Sequence, residues 1–225
     1  MILSTLLVWL REFGADLAGI LFSLIILAVY YAVHRARARR DPTYSIHLVN
    51  DNARRIWVEG VMSDPEKAIM AVQTLRNFIM YPILMVSTAS ILIIGTLTLS
   101  GQAESISRSW HAINFIGSHS TELWIIKVMC LLADFLVAFF AYAMSIRLAS
   151  HVLFMLNVPK ELMGKDCVLS ATLVANRLNQ AGHLVAVGMR AFIFAIPLVF
   201  WLFGPIYLAL ATLGVVVLLL RIDRL

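Results

Sequence analysis

The chain has 225 residues, of which 61% are hydrophobic and 14% are charged, and its mean hydropathy is +0.87. This composition is too apolar for a soluble domain and fits a small multi-span membrane protein. The formal net charge of +5 does not indicate a nucleic-acid partner, because the basic residues flank apolar runs. The two cysteines, Cys130 and Cys167, have no motif spacing, so neither a disulfide framework nor a metal site is expected.

The apolar runs predict an all-α fold, a polytopic membrane bundle of four transmembrane helices in a single domain over residues 1–225. The predicted spans are residues 17–33, 79–99, 123–149 and 191–220. Four arginines directly follow the first span, which places the loop 34–78 in the cytoplasm. Both termini are then expected on the outer side, as in a multi-pass protein of a bacterial inner membrane.

Two elements are expected to extend into the cytoplasm. Ser63-Asp64-Pro65-Glu66 is typical of a helix start, and the helix is expected to continue into the second span. Asp166 to Gly188 is helical by pattern and polar on one face. A short amphipathic helix is expected at Asn52 to Val61. The first ten residues are predicted to form an interfacial helix or an extension of the first span.

Three stretches carry a shared pattern. The first, Ala71 to Ser90, is AVQTLRNFIMYPILMVSTAS, and the second, Lys127 to Arg147, contains the Phe139 and Phe140 pair. The third joins single residues along the C-terminal part: Asn176, Arg190, Ala195, Pro197, Trp201, Phe203, Gly204 and Pro205. Together they resemble the integral membrane family designated domain of unknown function 599. The resemblance implies the four-span fold and says almost nothing about chemistry.

The second predicted span has a polar face. Gln73, Asn77 and Ser87 return to one side at steps of three and four residues, and Arg76 and Thr88 flank them. Interhelical hydrogen bonding with close packing is one interpretation of this face. A pore or ligand pathway is the other.

The helix before the last span carries a second polar line, formed by Asn176, Asn179, His183 and Arg190. One interpretation is a seam between this helix and the stretch Pro65 to Phe78, with Gln73 and Asn77 opposite. The other is a hydrated cytoplasmic vestibule in which Arg76, His183 and Arg190 set the electrostatics.

Three charges lie in the third predicted span. Lys127 and Arg147 are near enough to its ends for their side chains to reach the outer and the inner surface. Asp134 lies roughly 16 Å inside the span, and about 10 Å along the helix from Lys127, too far for a direct pair. A structural polar contact, a permeation or proton-linked role and a ligand contact all remain open for Asp134.

The last predicted span contains Pro197, Gly204 and Pro205, which predict either a hinge or a fixed packing bend.

The chain has no H-E-x-x-H, G-x-S-x-G, Walker or G-x-G-x-x-G sequence, so an enzyme is not expected, nor is a metal or a cofactor. The favoured function is a homo-oligomeric membrane channel or channel-like transport protein for a small ion. Several copies of the chain are implied because the four helices of one copy are few to surround a pore. The alternative is a non-catalytic accessory or scaffold subunit of a membrane protein complex. The expected partners are the lipid bilayer, copies of the chain and, in the alternative, another membrane protein.

Overall fold

The computed structural model describes residues 2–40, 46–102, 120–158 and 169–222, with side chains from residue 13 onward. Every regular element in these ranges is helical, as predicted. In chain order they are α1 (Ile2–Arg40), α2 (Ile46–Ser63), a 3-10 turn (Pro65–Lys67), α3 (Ala68–Gly101), α4 (Thr121–Leu156), α5 (Ala171–Phe203) and α6 (Pro205–Ile222). The first ten residues extend α1 from Ile2 onward. Most of the segment before α4, and Cys167, lie outside the described residues.

Five helices of the described chain are long and apolar enough to cross a membrane. They occupy Phe13–Arg40, Pro65–Gly101, Thr121–Leu156, Ala171–Phe203 and Pro205–Ile222. The protein is therefore a multi-pass membrane protein, but the expected count of four spans is not confirmed. The difference arises at residues 191–220, which hydropathy presents as one apolar run and the structure divides between two helices.

A tight turn at Gly204 makes this division. Gly204 has φ 138°, a backbone conformation that a residue with a Cβ rarely adopts. Beyond the turn, Val215 and Leu219 of α6 pack with Ile193 and Phe194 of α5. In one straight helix, Ile193 and Val215 would be roughly 33 Å apart. The chain therefore reverses, and α5 and α6 form an antiparallel hairpin. Of the predicted hinge residues, Gly204 and Pro205 form the turn, whereas Pro197 lies inside α5.

The predicted helix start at Ser63-Asp64-Pro65-Glu66 is confirmed. The Asp64 carboxylate accepts a hydrogen bond from the backbone N–H of Glu66 at 3.1 Å, and Pro65 occupies the first turn. α3 follows directly after Lys67 and continues to Gly101. The amphipathic helix expected at Asn52 to Val61 is longer, beginning at Ile46.

The chain divides into two compact units. The first contains the described residues of Met1–Tyr44, Ile91–Leu136 and Ala191–Leu225. In this unit α1 runs parallel to α6: Gly19 lies against Pro205, the Thr212 hydroxyl donates to Ser23 Oγ at 3.1 Å, and Tyr30 packs with Leu219. The end of α3 runs antiparallel to the start of α4, since Leu99 packs near Trp124 and Leu92 near Leu131.

The second unit contains Ser45–Ser90 and Val137–Arg190. Its core joins α2, α3, α4 and α5 through Val58, Val61, Ala71, Leu75, Val152, Leu156, Val174, Ala175 and Leu178. The buried Ser145 hydroxyl donates to the Ala181 carbonyl at 2.8 Å and links α4 to α5. The ring of Tyr142 lies on Gly188, where a Cβ would approach it to 2.7 Å.

The turn at Gly204 can be tested against a helical glycine in open space. Gly204→Ala is expected to lower the free energy of unfolding by roughly 1–3 kcal/mol, because alanine is strained at this φ. Gly214 is the matched control, since a Cβ added there would meet no atom within 4 Å, and Gly214→Ala should not destabilise the protein. Thermal unfolding of both variants in detergent measures the difference. Equal melting temperatures would contradict the strained turn.

Candidate functional site

A buried ion pair joins three helices of the first unit. Lys127 Nζ of α4 lies 2.8 Å from Asp16 Oδ1 of α1, and their side chains are 3% and 1% exposed. The indole Nε1–H of Trp201 on α5 donates to the same Asp16 oxygen at 2.9 Å. Lys127 Nζ also lies 5.4 Å from the centroid of the Trp201 ring, within range of a cation–π interaction.

The position of these three residues follows from where their helices begin and end. Lys127 comes shortly after the start of α4 at Thr121, and Trp201 comes just before the end of α5 at Phe203. The expectation that Lys127 extends to the outer surface is therefore wrong: a carboxylate is available inside the protein. Pairing stabilises both charges in a dry environment, where either one alone would be costly.

Asp16 is the residue that the sequence analysis missed. It is close to Arg11 and Glu12 and resembles a polar flank of the first apolar run. The available signal was charge complementarity, since an acid and a base occur near corresponding ends of two apolar helices. Sequence alone does not show that α1 and α4 are neighbours.

Asp134 has a different environment on the same helix. Its side chain is half-buried, and its Oδ2 atom is buried without a hydrogen-bond partner in the described part of the chain. It shares a face of α4 with Lys127, and with Ala138 one turn further on, both of which are buried. Asp134 therefore lies at the edge of the packed face of α4, and no base of the described residues pairs with it as Lys127 pairs with Asp16.

The predicted polar face of α3 is directed outward. Gln73, Arg76, Asn77, Ser87 and Thr88 are all exposed. The opposite face is buried and consists of Ala71, Leu75, Pro82, Ala89 and Thr96. The Ser87 and Thr88 hydroxyls donate to carbonyls of their own helix, those of Ile83 at 3.2 Å and Leu84 at 3.0 Å. Neither hydroxyl is thus used to bind a neighbouring helix.

In the second unit, a polar network joins α2 to α5. Asp51 is its centre: its carboxylate contacts Arg54 at 3.0 Å and His183 Nε2 at 3.0 Å. Asn179 donates to the Asp51 carbonyl at 3.2 Å and accepts from Arg54 at 3.4 Å. Arg190 lies 3.1 Å from His47 Nε2. Since arginine only donates, His47 accepts through Nε2 in this arrangement.

The Arg54 guanidinium lies directly against Gly182. A Cβ at Gly182 would approach the central carbon of this group to 2.5 Å and its two terminal nitrogens to 2.6 Å. The similar distances show that the guanidinium lies flat over α5 at this point. Gly182 thus allows α2 to place a positive charge against the surface of α5.

These contacts correct the expected seam. Asn179, His183 and Arg190 contact α2, not the stretch Pro65 to Phe78. The reason is that an acid and a base of α2 lie level with these side chains along α5. Gln73 and Asn77, which were expected opposite the seam, are exposed, as are Arg76 and Asn176. Arg147 is exposed too. Within the described ranges, no group of three or more His, Cys, Asp or Glu residues is placed to hold a metal ion.

The buried pair gives a stability prediction. Lys127→Met leaves Asp16 buried without its counterion and should cost roughly 3–5 kcal/mol of unfolding free energy. Adding Asp16→Asn should recover part of this loss, because the amide oxygen still accepts from Trp201. The control is Lys67→Met, which breaks the exposed pair with Asp64 and should cost at most about 1 kcal/mol. Melting temperatures that fall equally for Lys127→Met and the double variant would refute a net role of the buried charges.

The chain was compared with protein families, curated proteins and solved structures. A family model described as protein of unknown function, DUF599, matches residues 18–225. No curated protein and no solved structure matches the chain. The matched region covers nearly all of the chain and contains Lys127, Asp134, Trp201 and Gly204. The protein therefore belongs to the DUF599 family.

Proposed function

We propose that the protein is a homo-oligomeric channel or channel-like transport protein for a small ion, in which the polar face of α3 lines the path. The observation that carries this proposal is the exposure of that face in a span-length helix. Only 11% of the most apolar stretch of Pro65–Gly101 is buried, against 39% for the corresponding stretch of α4. Copies of the chain that meet along α3 would remove its polar groups from lipid.

The hydroxyl geometry favours a cation over an anion. Ser87 and Thr88 donate their protons to backbone carbonyls of α3, which leaves their oxygen lone pairs directed away from the helix axis. Thr98 does the same with the Ile94 carbonyl. A ring of α3 helices would therefore present acceptor oxygens to the path, and acceptor oxygens are the groups that replace the hydration shell of a cation.

The proposed topology has five crossings, with the N-terminal end of α1 outside and the C-terminal end of α6 in the cytoplasm. α1 and α6 run parallel, and both end in basic residues, Arg37, Arg39 and Arg40 in α1 and Arg221 in α6. Five crossings bring all of these arginines to the inner side, whereas four crossings leave Arg221 outside. This topology replaces the expectation that both termini are outside.

The long helices are proposed to extend into the cytoplasm. α3, α4 and α5 are each roughly 50 Å long, against about 30 Å of hydrocarbon in a bilayer. Arg76 lies in the first third of α3, Arg147 in the last third of α4 and Arg177 in the first third of α5, at the proposed cytoplasmic ends of these helices. A bacterial inner membrane suits this distribution.

The second candidate is a non-catalytic accessory or scaffold subunit of a membrane protein complex. The fully paired Asp16 and Lys127 favour it, because an ion pair that is buried on every side holds helices together without offering a charge to a passing ion. In this alternative, the outward face of α3 binds another membrane protein.

Flux through liposomes tests the channel. Ser87→Leu places a bulky apolar side chain on the proposed path and should reduce ion flux to a small fraction of the wild-type rate. Ala18→Leu adds the same side chain at an exposed position of α1 and should leave flux unchanged. Oligomer mass in mild detergent is measured for each variant. Wild-type protein that is monomeric and no more conductive than empty liposomes would refute the channel and favour the scaffold.

Reporter fusions test the topology. A cytoplasm-active fluorescent protein fused after Leu225 should fluoresce, and a phosphatase that is active only outside should be inactive at the same point. Fusions at the loop between α3 and α4 should give the opposite results and serve as the internal control. Phosphatase activity at the C-terminus would restore the four-span topology.

A further inference from the structure

We infer that Asp134 is a proton-binding site within the membrane-spanning part of α4, and that the small ion of the proposed function is a proton. This inference rests on the proposed function for the transport step alone. The binding site itself rests on the carboxyl group, its unpartnered oxygen and its place on the packed face of the helix.

Asp16 and Asp134 are the acids inside the span-length stretches of the first unit, away from the first turn of α4. Lys127 is committed to Asp16 at 2.8 Å. It lies seven residues before Asp134, or roughly 10 Å along the axis, so it does not serve both acids. Lys127 thus neutralises Asp16, and a different ligand is needed to neutralise Asp134.

Asp134 lies 13 residues after Thr121, the first residue of α4, which is roughly 20 Å along a helix of roughly 54 Å. A side chain as short as that of aspartate does not reach a membrane surface from this depth. Acids at such positions face a partner or a water-filled cavity and often belong to proton pathways.

The surroundings of Asp134 suit a proton better than a metal ion. Asp134 is surrounded on its own helix by Cys130, Leu131, Phe135 and Ala138, none of which supplies an oxygen ligand from its side chain. Calcium and magnesium require about six or more oxygen ligands. In the described residues no three acids, histidines or cysteines come together. A proton needs only the single buried oxygen, Oδ2.

Asp134 also differs from the hydroxyls of α3 in what it can do with the ion. Ser87 and Thr88 present oxygen atoms that contact an ion or water without changing protonation. The Asp134 carboxyl group can take up a proton from one side and release it to the other, with one O–H bond formed and the same bond later broken. Proton movement through it therefore requires no oxidant, reductant or second substrate.

The test uses the full-length protein in liposomes. Proton entry is followed with an internal pH-sensitive dye, and K⁺ and Cl⁻ movement is measured separately in the same preparation. Asp134→Asn should lose proton flux to the level of protein-free liposomes, whereas Asp134→Glu should keep a measurable part of it. Glu122→Gln, an acid-to-amide change at an exposed position in the first turn of α4, should leave flux unchanged. Melting temperature and oligomer mass show that each variant is folded.

Infrared difference spectroscopy measures the binding site without transport. The wild-type protein should show a carboxylic acid C=O band that changes with bulk pH and is absent from Asp134→Asn. If no ion crosses but this band is present, the channel proposal fails and the proton site stands. If K⁺ or Cl⁻ crosses and protons do not, or if Asp134→Asn conducts protons like the wild type, the channel proposal stands and the inference is overturned. Absence of the band from the wild type overturns it as well.

Discussion

The first unit depends on one buried ion pair, Asp16 with Lys127, and on the indole that bonds to it. A lone charge in the centre of a membrane helix costs roughly 2.5–3.5 kcal/mol on insertion scales. α1 contributes Asp16 and α4 contributes Lys127, so each of these two buried charges is better accommodated in the membrane when the other is beside it. Trp201 then places the end of α5 against the pair, and the turn at Gly204 follows. Beyond this turn, α6 packs along α1.

Polar groups are treated differently in the second unit. There Asp51 contacts three side chains of two helices, and several of these side chains remain partly accessible to solvent. Exposed networks of this kind add little stability, but they define which helix faces which. Gly182 contributes by steric means, since a Cβ at this position would displace the Arg54 guanidinium from α5. Orientation, more than stability, is what this network contributes.

Much of the fold follows from sequence pattern, and the exceptions have identifiable causes. The helix start at Asp64 is encoded within four residues, so local reasoning finds it. Gly204 and Pro205 were recognised as a break, but a bend and a full reversal have the same hydropathy, and only the contacts of Val215 with α5 distinguish them. Lys127 was misassigned because its partner is more than a hundred residues away. The partners of Asn179 and His183 were misassigned because α2 carries little apolar signal of its own.

The turn at Gly204 and the arginine at the other end fix the apolar length of α6. Pro205–Ile222 has 18 residues and is roughly 27 Å long, and it carries no charged residue before Arg221. That length is slightly below the average hydrocarbon thickness, and the turn at one end and the arginine at the other oppose any sliding. In the proposed five-crossing topology, a thicker bilayer is therefore expected to become thinner around α6, whereas longer helices such as α4 adapt by tilting. In that topology, hydrophobic mismatch at this one helix acts on the turn at Gly204, where α6 begins.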